Sequence, residues 1–83
     1  MSTDTLIGEL SGRMHYAETR YGPFASTHEA IGVALEEWRE LLDAVRLNDM
    51  AQIEAECLDM AAVLLRMVYC IRDGGAFAER SVK

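Results

Sequence analysis

Apolar residues recur at helical spacing along most of this chain and divide it into three segments. In the first, Leu6, Leu10, Met14, Ala17 and Tyr21 follow at intervals of four, four, three and four, the period of one helix face. This pattern predicts a helix from about Asp4 to Arg20. Gly8 and Gly12 weaken it by roughly 1 kcal/mol each relative to alanine, and they leave room for close helix approach. The run Tyr21-Gly22-Pro23-Phe24-Ala25 then breaks it, because glycine and proline both disfavour its continuation. In the second segment, Ile31, Ala34, Leu35, Trp38, Leu41, Leu42 and Val45 form one uninterrupted stripe. Ser26, three residues before Glu29, makes a capping box at its start. That helix should end near Leu47, with Asn48-Asp49 as the turn and Asp49 with Gln52 capping the next helix. The third helix is expected from about Met50 to Arg72, with Gly74-Gly75 as its stop. From Cys57 to Ile71 it is apolar almost all round, Asp59 and Arg66 being the charged residues in that stretch.

The expected fold is therefore all-α: a helical hairpin plus an N-terminal helix, in one domain spanning residues 1–83. A helix apolar on every side is buried on every side, and three helices in so short a chain cannot cover it. The expectation is an oligomeric helical bundle, a homodimer or homotetramer, joined through helix 50–72.

Charge and cysteines narrow the partners. The net charge of −6, from 14 acidic and 8 basic residues, argues against nucleic acid or an anionic membrane as a partner. A small phosphorylated substrate remains compatible, since bound cations reverse the local sign. Cys57 and Cys70 are about 20 Å apart on one helix at ~1.5 Å per residue. They cannot pair, and both are expected as buried free thiols in a reducing compartment. Met1-Ser2-Thr3-Asp4 lacks the basic start of a signal peptide. The apolar run of helix three is short for a membrane span and is interrupted by charge. A soluble, cytoplasmic protein is expected.

The candidate chemistry lies in two acidic clusters, Glu36-Glu37-Trp38-Arg39-Glu40 and Glu56-Cys57-Leu58-Asp59. About a turn at Asn48 they are mirror images, so Glu40 falls opposite Glu56 and Glu37 opposite Asp59. Facing carboxylates repel unless cations sit among them, and oxygen ligands suit hard ions such as Mg²⁺ or Mn²⁺. With Trp38 at the centre of its stripe, Glu37 lies near −100° and Glu40 near −160° at ~100° per residue. With Leu64 as the centre of helix three, Glu56 lies near −80° and Asp59 near −140°, again at ~100° per residue. Both pairs flank their stripes on the same rotational side. Glu36 is aimed less directly at the seam, as a further ligand, a base acting through water or a solvated residue. An EExxE string alone is usually a solvated face. Asp59 is different, because an aspartate in an apolar helix is costly without compensation. Arg66, two turns on, is its simplest structural partner.

EExxE, fifteen residues and then ExxD resembles the signature of the MazG-like all-α nucleoside triphosphate pyrophosphohydrolases. Glu36, Glu37 and Glu40 match the first motif, and Glu56 and Asp59 match the second. The stretch from Gly22 to Glu29 also resembles small phage and bacterial members, and the likeness covers roughly residues 21–72. It implies Mg²⁺-dependent hydrolysis of an NTP or dNTP between the α- and β-phosphates, giving a monophosphate and pyrophosphate, in a dimer or tetramer. It implies Glu37, Glu40, Glu56 and Asp59 as metal ligands. Glu36, or a ligand such as Glu40, would activate the water. Many relatives have a further helix with a phosphate-contacting basic or amide residue. Here Arg66 is assigned that role, with Arg13 and Arg20 as alternatives.

The remaining candidates are weaker. Trp38 is expected in the core rather than against a base. Among Tyr16, Tyr21 and Phe24, Phe24 is favoured to stack a nucleobase. His15 and His28 are expected at the surface, without the spacing of a zinc site. Two rivals stand beside the main reading: a phosphoribosyl-ATP pyrophosphohydrolase-like activity, and a non-catalytic helical interaction module whose carboxylates hold a structural cation.

Overall fold

The structure is a computed structural model that describes residues 1–73; the expected Gly74-Gly75 stop lies outside the described residues. It contains α1 (Thr3–Tyr21), α2 (Thr27–Arg46) and α3 (Met50–Asp73), with no strand among the described residues. Local chemistry explains each boundary. Ser2 caps α1 by accepting from the Thr5 amide at 3.1 Å. Gly22 ends α1 with φ +74°, a conformation that a side chain would strain. Ser26 accepts from the Glu29 amide at 3.1 Å. The Glu29 carboxylate reaches back to the Ala25 amide at 2.6 Å, one residue before the donor of the standard box.

The α2–α3 turn is a Schellman motif. The Asp49 amide donates to the Ala44 carbonyl at 3.1 Å and the Asn48 amide to the Val45 carbonyl at 3.0 Å. Asn48 takes φ 57°, the left-handed conformation that asparagine tolerates better than most residues. Asp49 then caps α3 by accepting from the Gln52 amide at 3.1 Å.

Helix α3 is the centre of the molecule: α1 and α2 both pack on it and barely meet each other. The core is small. Phe24, Ala30, Ala34, Val63 and Cys70 are buried, with Val33 and Met67 packed against them. None of α1's residues is buried, so its stripe lies over α3 only in part, through Leu10, Met14 and Ala17.

The hairpin helices are rotated relative to the expectation from sequence. The inward face of α2 is Ala30, Ala34 and Ala44, with Glu37 half-buried among them. Trp38, expected in the core, is 46% exposed, and Ile31, Leu35 and Val45 face outward with it. On α3 the buried face is Glu56, Ala62, Val63, Arg66 and Cys70, while Leu64 is 44% exposed. Both helices thus turn by about 90–120° from the stripe-to-stripe arrangement, at ~100° per residue. Alanine lets backbones approach closely, whereas Trp38 and Leu64 opposite each other would hold them apart. The rotation carries the carboxylates from the edge of the seam into it. It also leaves Cys57 exposed, against expectation, while Cys70 is buried.

Candidate metal centre

Glu37 on α2 and Glu56 and Asp59 on α3 each place a carboxylate oxygen within 4.8 Å of the other two. The i, i+3 spacing of Glu56 and Asp59 stacks them on one face of α3, and the α2 rotation brings Glu37 to meet them. Glu56 is 7% exposed. Its Oε2 accepts from the Gln52 side chain at 2.5 Å, one turn earlier on the same helix. While its backbone amide makes the expected cap with Asp49, the Gln52 side chain thus anchors Glu56. The i, i+4 spacing was the sequence signal for that contact.

Two buried oxygens, Glu37 Oε2 and Glu56 Oε1, have no hydrogen-bond partner among the described residues. Buried polar atoms rarely go without one, and a carboxylate oxygen can be satisfied only by a donor or a cation. The Glu37 carboxyl is accordingly pushed up from 4.5 to about 7, first by burial, then by a hydrogen bond to Glu56, then by Asp59, Glu40 and Glu56 charge. Two carboxylates make that hydrogen bond only when they share a proton. A proton and a metal ion are thus alternative occupants of the same gap. The donor set is all oxygen, with no imidazole or thiolate, and fits Mg²⁺ or Mn²⁺.

Glu40 is not among the three converging carboxylates and is exposed. It still senses them: slight burial first, then the charges of Glu56 and Glu36, raise its pKa. Glu36 is exposed and lines a cavity of about 950 Å³ that also touches Arg13, Tyr16, Phe24, Glu37 and Asp59. That volume lies within the range of small-molecule sites, roughly 300–1,000 Å³. Glu37 and Asp59 belong to both the cluster and the cavity, whereas Glu56 stands behind them.

The ion pairs differ from the expected ones. Asp59 pairs not with Arg66 but with Arg13 of α1, at 2.6 Å. Arg66 is 4% exposed and faces the α1–α2 connection. Its Nε donates to Glu18 at 2.6 Å, its Nη2 donates to the Gly22 carbonyl at 2.8 Å, and its guanidinium lies 4.2 Å from the centre of the Phe24 ring. Asp59 and Arg66 are seven residues apart on one helix face, too far along the axis to touch at ~1.5 Å per residue. Helix α1 supplies both partners. Arg66 thus fastens α3 to the end of α1, and it covers one face of the buried Phe24. Tyr16, Tyr21, His15 and His28 are exposed.

No helix among the described residues is long and apolar enough to cross a membrane. No protein family matches the chain, nor does any characterised protein or solved structure.

Proposed function

We propose that this chain is a Mg²⁺-dependent nucleoside triphosphate pyrophosphohydrolase, converting an NTP or dNTP and water into a monophosphate and pyrophosphate. The observation that carries the reading is the pair of buried oxygens on Glu37 and Glu56 without a partner among the described residues, in a cluster whose Glu37 and Asp59 line a nucleotide-sized cavity. It coincides with the EExxE and ExxD motifs of the MazG-like resemblance. Glu37, Glu56 and Asp59 would hold the metal. Glu40, one turn from Glu37, would be a fourth ligand. A divalent cation there neutralises phosphate charge and lowers the pKa of water. Glu36 reaches the cavity without joining the cluster, which suits a group that orients or deprotonates the attacking water. Phe24, Tyr16 and Tyr21 also line the cavity, and a nucleobase would rest against them.

The enzyme would work as a homo-oligomer. Exposed Leu64, Leu65, Val68, Tyr69 and Ile71 on α3, with Ile31, Leu35, Trp38 and Val45 on α2, form apolar faces that a second copy would cover. The free thiols and a nucleotide substrate suit the cytoplasm. The test is incubation with Mg²⁺ and each common NTP and dNTP, with product identification. Monophosphate and pyrophosphate from the wild type, and none from Glu56→Gln, are expected. Metal binding without turnover across the panel would reject the enzyme and favour a helical module with a structural cation.

A further inference from the structure

The Arg13–Asp59 ion pair joins the carboxylate cluster to the cavity. Arg13 Nη1 sits 2.6 Å from Asp59 Oδ1 and reaches the Ala55 carbonyl at 3.5 Å, a long and weak contact. Its side chain is 36% exposed, against 5% for that of Arg66. Arg66 is fixed by an acid, a carbonyl and an aromatic ring; Arg13 has one short contact and lines the cavity.

We infer that Arg13 is an exchangeable counter-ion: it occupies Asp59 while the site lacks metal, is displaced when a divalent cation takes that carboxylate, and then binds the anion that follows the metal into the cavity. The inference rests on the metal reading of the cluster, supported by the partnerless oxygen of the nine-tenths buried Glu56. Three clustered carboxylates, of which Asp59 alone is paired with a guanidinium, retain a net negative charge, so a dication is attracted. Once Asp59 gives its electrons to that dication, the attraction holding Arg13 weakens and cation–cation repulsion replaces it. A long side chain rooted on α1 can turn into the cavity without leaving its helix. There its planar fork matches phosphate oxygens. The exchange couples metal loading to anion capture and makes Arg13, rather than the immobilised Arg66, the phosphate-binding cation. The ligand class is a small phosphorylated anion.

The experiment is Mn²⁺ titration of the full chain, in the wild type, Arg13→Met and Arg13→Lys, with ³¹P relaxation of added inorganic phosphate on the loaded protein. Methionine keeps the apolar stem and removes the charge; lysine keeps the charge. Removing the internal competitor should tighten Mn²⁺ binding about fivefold in Arg13→Met, the order of a half-exposed ion pair. Arg13→Lys should bind Mn²⁺ like the wild type. Phosphate relaxation per bound Mn²⁺ should fall severalfold in Arg13→Met. Weaker or equal Mn²⁺ binding by Arg13→Met would show that Arg13 merely orients Asp59, and unchanged phosphate relaxation would remove its anion role. A wild type that binds no Mn²⁺ would instead defeat the metal reading of the site. Independently of any variant, Mg²⁺ should move the Arg13 Nε–H resonance of the wild type and leave that of Arg66 in place. An unmoved Arg13 signal overturns the exchange.

Discussion

Replacing Glu37 with glutamine should stabilise the metal-free protein at alkaline pH, and only there. The folded state holds the Glu37 proton to about pH 7, against an ordinary value of 4.5. Between those values the native chain binds more protons than the unfolded chain, so stability falls as pH rises. The full contribution is present below about 4.5 and is gone above about 7. A gap of ~2.5 units corresponds to at most ~3.4 kcal/mol at ~1.36 kcal/mol per unit. Glu37 is only half-buried, and solvent screening reduces the effect to roughly 1–2 kcal/mol. Glutamine carries no charge, and its amide can donate to the partnerless Glu56 Oε1. In EDTA, urea denaturation followed by circular dichroism should find Glu37→Gln more stable than the wild type at pH 8, by about 1–2 kcal/mol. At pH 5 the two should nearly coincide. Saturating Mg²⁺ should reverse the order at pH 8, because a ligand stabilises the form that binds it better. A variant no more stable than the wild type at pH 8 in EDTA would refute the claim that this carboxylate is strained by burial and its neighbours.

Three further outcomes probe the scaffold. Arg66→Leu should lose about 2–4 kcal/mol in urea denaturation, because the Glu18 carboxylate and the Gly22 carbonyl lose their donor at a buried site; a loss under 1 kcal/mol would exclude the fastening role. Asn48→Val should cost about 1–2 kcal/mol, the penalty of a left-handed conformation in a β-branched residue, and Asn48→Gly should cost nothing, both read by thermal melting. Leu64→Glu should shift the proposed oligomer toward monomer in sedimentation velocity while preserving helix content; an unchanged sedimentation coefficient would place the interface elsewhere.

The helix boundaries were legible in the sequence, because they depend on neighbours in the chain. Ser26 and Glu29, Asn48 and Asp49, and the Gly22-Pro23 break each act within a few residues. The facing of the two acidic motifs was legible for the same reason: once the turn is set at Asn48, helical rise brings Glu37 opposite Asp59, whereas Glu40, expected opposite Glu56, stays outside the cluster. Which way the helices face was not. Each hairpin helix carries one bulky apolar face, with Trp38 or Leu64 at its centre, and a second face of smaller and charged residues, alanines with Glu37 on α2 and Glu56, Ala62, Val63, Arg66 and Cys70 on α3. Hydrophobicity alone selects the bulky face, but close approach in a single chain favours the small one, and that choice put the carboxylates inside. The ion pairs were further out of reach. Arg13 meets Asp59 across 46 positions and Arg66 meets Glu18 across 48, so each contact exists only because α1 lies along α3. The sequence by itself determined three helices, their ends and two opposed acidic motifs. Tertiary packing decided that three of the carboxylates converge, and which arginine can leave its partner. Rotation and docking are set by the fit of whole faces, which no local run of residues encodes.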